Sequence, residues 1–179
     1  SSPRHLHQLL EVACRLAKEA GEVIESVRLE GFNIAHKQDE SPVTRADLAS
    51  DALIRDGLTR AFPTHSILSE ETSAHIGSDD FTWIVDPLDG TQGFIDDTPH
   101  YAVQLGLLQG ELPILGVFYE PRTERLFFAS RGQGAFIEEH DGQVQQLRVS
   151  THRDPSDMRL VTSTTIPAAV SYTHLTLPT

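Results

Sequence analysis

The 179-residue chain contains one cysteine, one methionine and one tryptophan. A single cysteine, Cys14, excludes an internal disulfide and fits a reducing compartment. Cys14 lies beside Ala13 and near Leu16 and Ala17 on an apolar helical stripe, so it reads as a core residue and not as a nucleophile. No apolar run approaches the roughly 18–20 residues that span a bilayer. No basic segment followed by an apolar stretch opens the chain, so no secretory leader is expected, and the cytoplasm is the expected compartment. Positive charge is scarce: 14 Lys and Arg stand against 26 Asp and Glu, a net charge of -12. A field of that sign repels nucleic-acid polymers and anionic membranes. If such a chain handles phosphate, something local must reverse the sign, and a bound divalent cation does so most simply. Hydrophobic residues make up 39% and charged residues 22%, which suits one globular domain, or one and a fraction, and not a disordered chain.

Periodicity divides the chain into two parts. Leu6, Leu9, Leu10, Ala13, Leu16, Ala17, Ala20, Val23, Ile24 and Val27 recur at 3–4 spacing and predict a helix over 5–28, with Gly31 as its stop. Residues 32–44 are polar and read as a loop or short hairpin. Ala46, Ala49, Leu53, Ile54, Leu58 and Ala61 predict a second helix over 45–61, ended by Pro63. The period then changes. Short buried strands are expected at 66–69 and 81–85, and longer ones at 101–108, 113–119, 125–129, 135–139 and 144–149, separated by turn-like segments such as Gly132-Gln133-Gly134 and Asp141-Gly142. Short connections imply an antiparallel meander. Two helices leading such a sheet make an α+β layered fold. Gly132-x-Gly134 precedes a strand and not a helix, so it reads as a hairpin turn and not as a dinucleotide loop. The nine histidines show no metal-ligand spacing, and His65 and His100, near prolines, read as surface residues.

Acidic residues punctuate this pattern at Asp47 near the start of the second helix, at Glu70-Glu71 after a strand, and at Asp86 and Asp89 after another. Strand ends hold backbone rigidly, so side chains there can converge on one point. Clustered carboxylates repel and raise one another's pKa. Mg2+ resolves that conflict, because it takes hard oxygen ligands in an octahedral set and keeps some waters for chemistry. In Asp86-Pro87-Leu88-Asp89, Pro87 stiffens the turn, so that Asp86 and Asp89 can face one site with the Leu88 carbonyl between them. Gly90 permits close approach of the backbone to a ligand, and a helix starting near Thr91 would offer free N–H groups to phosphate. Either acidic motif taken alone reads as readily as a turn or a solvated loop.

The order of motifs resolves that ambiguity. Ser41-Pro42-Val43-Thr44-Arg45-Ala46-Asp47, then Ile67-Leu68-Ser69-Glu70-Glu71, then Trp83-Ile84-Val85-Asp86-Pro87-Leu88-Asp89-Gly90-Thr91 resemble the signature of the inositol monophosphatase superfamily. The resemblance continues through Gly116-Val117 and residues 131–136, so it covers nearly all of 5–165. It implies a layered fold and a Mg2+-dependent phosphomonoesterase acting on a small phosphorylated metabolite. It also implies metal ligation by Glu70, Asp86, Asp89 and the Leu88 carbonyl. Asp47 and Thr91, with Glu70, would orient and deprotonate the attacking water, and the Gly90 and Thr91 N–H groups would hold the phosphate. Glu71 is implied as a supporting residue. Lys37 lies in a loop that approaches the site in relatives, and reads equally well as a solvated lysine. Relatives are often dimers, so a homodimer is implied.

The third motif and the Leu-Ser-Glu-Glu form look most like CysQ-type 3'(2'),5'-bisphosphate nucleotidases, which act on the 3'-phosphate of adenosine 3',5'-bisphosphate. Those enzymes usually carry Lys after the Gly-Thr, where this chain has Gln92. Inositol-1-phosphate phosphatase is the alternative, histidinol-phosphate phosphatase a third, and a non-catalytic module the alternative of another class. The family also carries a later Trp-Asp-x-Ala-Ala-Gly-type motif with a further metal-binding aspartate, which this sequence lacks. The expected organisation is therefore a metal-binding domain over 1–158, the start of a second α/β domain over 159–169, and a foreign tail over 170–179. That tail resembles the translation of a transposase-based sequencing adapter. The expected outcome for the chain as it stands is weak metal binding and little or no turnover.

Overall fold

Proline opens both helices of the computed structural model, which describes residues 3–31, 42–151, 153, 154 and 156. Proline suits a first helical turn because its φ is already helical and its missing N–H would have had no partner there. Helix α1 runs Pro3–Gly31, slightly beyond the expected span at both ends. Helix α2 runs Pro42–Ala61, so residues 42–44, expected to be loop, form its first turn. On α1 the buried positions are Leu6, Leu9, Ala13, Leu16, Ala17, Ala20 and Ile24. On α2 they include Ala46, Ile54 and Leu58. The two helices pack together, and at Gly57 a Cβ would fall 2.3 Å from Leu16 Cδ2. Glycine there lets the helices approach closely. Cys14 packs partly buried against the same core, and burial pushes its thiol up to about 12, which keeps it protonated and unreactive.

Seven strands follow in one sheet whose spatial order is the chain order. They are β1 (Ser66–Ser69), β2 (Phe81–Asp89), β3 (Ala102–Gln109), β4 (Leu112–Glu120), β5 (Arg125–Ser130), β6 (Gly134–Glu138) and β7 (Val144–Leu147), with a short helix α3 (Thr91–Ile95) between β2 and β3. Strands β2 to β7 form the expected antiparallel meander. The β1–β2 pair is parallel, with Ile67 beside Trp83 and Leu68 beside Ile84. Residues 70–80 carry the chain back along the sheet, held by a bridge between Ile67 and His75. A connection of that length permits a parallel return, whereas a tight turn would force an antiparallel one. The sheet is therefore mixed.

Helices α1 and α2 cover one face of the sheet. Trp83, Val85, Val103, Leu105, Leu107, Leu115, Val117 and Tyr119 are buried in the core they share with the helices. Each fully buried Leu or Val contributes roughly 1.5–3 kcal/mol. The intervening residues Ile84, Asp86, Gln104, Gly106, Gly116, Phe118 and Phe127 line a broad depression of about 480 Å³. The period-2 alternation of the strands thus places Asp86 beside open surface while its neighbour Val85 anchors the strand in the core.

His65 corrects a sequence expectation. It is 5% exposed, not a surface residue. Its ring stacks between Phe62 and Phe81, and Trp83 Nε1 donates to its Nδ1 at 3.0 Å. His100 is exposed, as expected.

The elements above belong to one compact unit, Ser1–Leu147, and a second unit comprises Arg148–Thr179. In the second, Asp154 Oδ1 accepts from the Ser156 N–H at 2.9 Å and from its hydroxyl at 2.8 Å. Lys37 and the expected segments 159–169 and 170–179 lie outside the described residues. Among the described residues no helix is long and apolar enough to cross a membrane.

Candidate metal centre

Three elements bring the acidic residues together. Helix α2 supplies Asp47 from its second turn, the end of β1 leads into Glu70 and Glu71, and β2 supplies Asp86 and Asp89. The sequence pattern placed Asp86 after a strand, but β2 continues through Pro87 to Asp89. The register shifts between Asp86, paired with Gln104, and Asp89, paired with Ala102. That irregularity lets Pro87, which has no N–H, sit in a strand flanked on both sides. Ser50 of α2 donates its hydroxyl to Pro87 O at 2.8 Å, and the Leu88 side chain is buried in the core. The peptides between the two aspartates are therefore fixed from the helix side.

Electrostatics show how the carboxylates sense one another. Asp47 is pushed up to about 7, first by burial, then by the charge of Glu71 and the contact between the two carboxyl groups, then by Asp86 and Glu70. Its Oδ1 is buried with no hydrogen-bond partner. Asp86 is pushed up to about 6, first by burial and then by Asp89 and Glu70, against the Leu88 N–H that donates to its Oδ1 at 3.3 Å. Asp89 is exposed, and Gln104 donates its side-chain amide to Asp89 Oδ2. Among the described residues no three His, Cys, Asp or Glu side chains stand arranged to hold a metal ion. The carboxylates are thus close enough to raise one another's pKa without being drawn to one point, as expected of like charges.

Gly90 follows Asp89 in the left-handed region, φ 81 and ψ 39, and caps α3. A Cβ there would fall 2.4 Å from His100 O, so glycine is required twice over, by conformation and by space. A Cβ at Gly93 would fall 2.2 Å from the same carbonyl oxygen. The Gly90 carbonyl accepts from the N–H groups of Gly93 and Phe94 at 2.8 and 3.3 Å, which folds the chain at Thr91 into a helix as expected, though a short one. The Thr91 side chain is exposed.

The structure thus brings Asp47, Glu70, Glu71, Asp86 and Asp89 into one electrostatic neighbourhood, with Gly90 and Thr91 next along the chain. The buried, unpartnered Asp47 Oδ1 and the two raised aspartates are hard-oxygen donors that lack positive charge, the donor chemistry a divalent cation takes once such side chains converge. Sequence reasoning missed Ser50, Asp51 and Gln104, which touch the backbone or side chains of this neighbourhood. The signal was available for Asp51: it is an acidic residue on the buried stripe of α2, one turn after Asp47.

Comparison with known proteins agrees on one family. The model described as the inositol monophosphatase family matches residues 5–176. Inositol monophosphatase 1 of Solanum lycopersicum is 40% identical over 136 residues, covering 74% of this chain and 50% of that protein. Nus factor SuhB of Salmonella typhimurium is 37% identical over 153 residues, covering 83% of this chain and 55% of that protein. Among solved structures, extragenic suppressor protein SuhB from Bartonella henselae superposes with a TM-score of 0.70 at 32% identity, covering 82% of this chain and 56% of that one. CysQ from Bacteroides thetaiotaomicron does so with a TM-score of 0.67 at 30% identity, covering 82% and 60%. The chain spans about half the length of the curated relatives it matches.

Proposed function

Because the chain belongs to the inositol monophosphatase family, we propose that it carries the acidic centre of a magnesium-dependent phosphomonoesterase acting on a small phosphorylated metabolite. The observation that supports this reading most directly is the pair Asp47 and Asp86, both raised toward neutrality by burial and by neighbouring carboxylates, with one Asp47 oxygen buried and unpartnered. A cluster so arranged destabilises the chain unless a cation or a proton neutralises it.

In this proposal Glu70, Asp86, Asp89 and the Leu88 carbonyl hold Mg2+, with Glu71 in support. Magnesium, when bound, supplies the charge that acidifies water and neutralises phosphoryl oxygens. Asp47, whose Oδ1 is buried without a hydrogen-bond partner, takes the proton of the attacking water. The Thr91 hydroxyl and Glu70 orient that water. The Gly90 and Thr91 N–H groups hold the phosphate, since the left-handed backbone at Gly90 turns the chain sharply there. The bond formed is water oxygen to phosphorus, the bond broken is phosphorus to ester oxygen, the alcohol leaves with a proton from solvent, and Asp47 returns its proton to solvent.

For the substrate, 40% identity to a protein named inositol monophosphatase, together with Gln92 in place of lysine, favours an inositol phosphate. Similarity to CysQ supports the second reading, the 3'-phosphate of adenosine 3',5'-bisphosphate. Phosphate release from the two compounds, measured side by side on a protein that joins this chain to the remaining length of the family, separates them. The reading of another class is a binding module without turnover. Calorimetric Mg2+ titration distinguishes that one: Asp86→Asn abolishes binding if the centre is a metal site, whereas unchanged binding overturns the enzyme reading.

A further inference from the structure

Asp51 is 1% exposed, a rare state for a carboxylate, on the face of α2 that it shares with Ile54 and Leu58. An apolar residue would serve that stripe better if packing were its only task, because a buried carboxylate is tolerated only when its oxygens are satisfied. Both oxygens of Asp51 are satisfied, by two residues that bracket Glu70-Glu71. Ser69 donates its hydroxyl to Asp51 Oδ1, and Thr72 donates its hydroxyl to Oδ2 at 2.9 Å. One turn further along α2, Arg55 lies 4.0 Å from Asp51 Oδ2 and donates to the Ser73 carbonyl at 3.0 Å.

Ser69 links this bracket to the acidic pair. With its proton given to Asp51, its oxygen accepts from the Glu71 N–H at 3.4 Å. The Glu70 N–H is held separately by Val85 O at 3.2 Å, which ties the loop to β2 just before Asp86. The backbone of 69–73 is therefore fixed on both sides, while the Glu70 and Glu71 side chains stay exposed and act on Asp47 and Asp86. Helix α2 thus meets the acidic neighbourhood twice, with Asp47 directly and with Asp51 through the loop.

We infer that Asp51 is a positioning residue, which clamps Ser69 and Thr72 so that Glu70 and Glu71 are presented toward Asp47 and Asp86. The inference rests on the metal-centre reading for its purpose, but not for its geometry, and two measurements separate them. The first is amide hydrogen exchange at Glu71 in the metal-free 179-residue chain, read by NMR. The second is the affinity for Tb3+, used as a luminescent probe of a hard-cation site. Asp51→Asn keeps the volume and removes one acceptor oxygen. It is expected to speed Glu71 exchange and to weaken Tb3+ binding by about tenfold, as loss of an outer partner of a metal site does. Wild-type exchange and affinity in folded Asp51→Asn would overturn the inference.

Should Asp51→Asn not fold, Thr72→Val decides, since it removes one clamp at a half-buried position: faster exchange supports the inference and a wild-type rate sinks it. Leu58→Ala is the control for general loosening of α2. It is expected to lower Tm while leaving Tb3+ affinity unchanged, and an equal loss of affinity there would reduce Asp51 to a structural residue. If Asp86→Asn binds Tb3+ as the wild type does, the metal reading fails, and Glu71 exchange alone then tests the clamp.

Discussion

Asp47 and Asp86 hold negative charge where burial and neighbouring carboxylates oppose it, and this fixes the sign of their effect on stability. Both titrate above the ordinary 3.8, at about 7 and about 6. Between the ordinary value and the raised ones the folded chain binds more protons than the unfolded chain, so stability of the metal-free protein falls as pH rises through that window. Asp47→Asn mimics the protonated state. It is expected to leave Tm nearly unchanged at about pH 5 and to raise it by a few degrees at about pH 8, as removing functional strain does. Thermal unfolding followed by circular dichroism at both pH values checks this, and a lower Tm at the higher pH would contradict it. His65 acts in the opposite direction. Burial lowers its pKa below 6.5, against the pull of Asp79 and Asp80 and with the help of His5. The unfolded chain therefore takes up the proton first, and stability falls as pH drops below 6.5. Trp83 donates to His65, stacks on Phe62 and is the chain's one tryptophan, so its fluorescence reports on this buried aromatic cluster. His65→Phe keeps the aromatic stack and removes the acceptor. It is expected to cost about 1–3 kcal/mol in urea unfolding and to abolish the pH dependence of Trp83 emission below neutrality.

At the scale of elements, close approach decides two outcomes. Helix α3 is short and stays in place because Gly90 and Gly93 both lie against the His100 carbonyl. A Cβ at Gly93 would meet that backbone oxygen at 2.2 Å, and a backbone atom cannot swing aside as a side-chain end can. Gly93→Ala is therefore expected to displace the 90–95 turn, seen as faster amide exchange at Thr91–Ile95 with the sheet unaffected. Protection equal to wild type would show that the turn tolerates a methyl group. Packing between α1 and α2 behaves differently. Leu16 is 1% exposed and fills the space beside Gly57. Leu16→Ala is expected to cost about 2–5 kcal/mol by chemical denaturation, the range for a large-to-small change in a core.

For the molecule as a whole, one face of the sheet is covered by helices and the other bears Phe118, Phe127 and Ile84 around Asp86. Helices α1–α3 and strands β1–β7 lie within Ser1–Leu147. Removal of residues 148–179 is accordingly expected to preserve the circular dichroism spectrum and a single cooperative transition. Loss of cooperativity would mean that stability is not contained in that unit. The net charge of -12 adds a second whole-molecule term. Mg2+ is expected to raise Tm more than an ionic-strength match in sodium chloride, because screening acts on the overall field whereas a bound ion acts on Asp47 and Asp86 directly.

Much of this protein follows from local sequence. The 3–4 spacing from Leu6 to Ile24 and the alternation in β3 and β4 produce their elements without reference to anything distant, because each periodicity matches one face to one core. The acidic motifs at Glu70-Glu71 and Asp86-Pro87-Leu88-Asp89 were legible as motifs for a different reason: their order along the chain is itself the signal. Tertiary structure decided what depends on contacts between distant segments. Nothing local in residues 70–80 dictates that β1 runs parallel to β2; the return path and the Ile67–His75 bridge do. His65 looked like a surface residue beside a proline until Trp83, eighteen positions later, gave it a buried partner. The raised pKa values of Asp47 and Asp86 and the clamp at Asp51 likewise exist only because α2, β1 and β2 meet, since burial and the field of neighbouring charges are properties of the assembled chain.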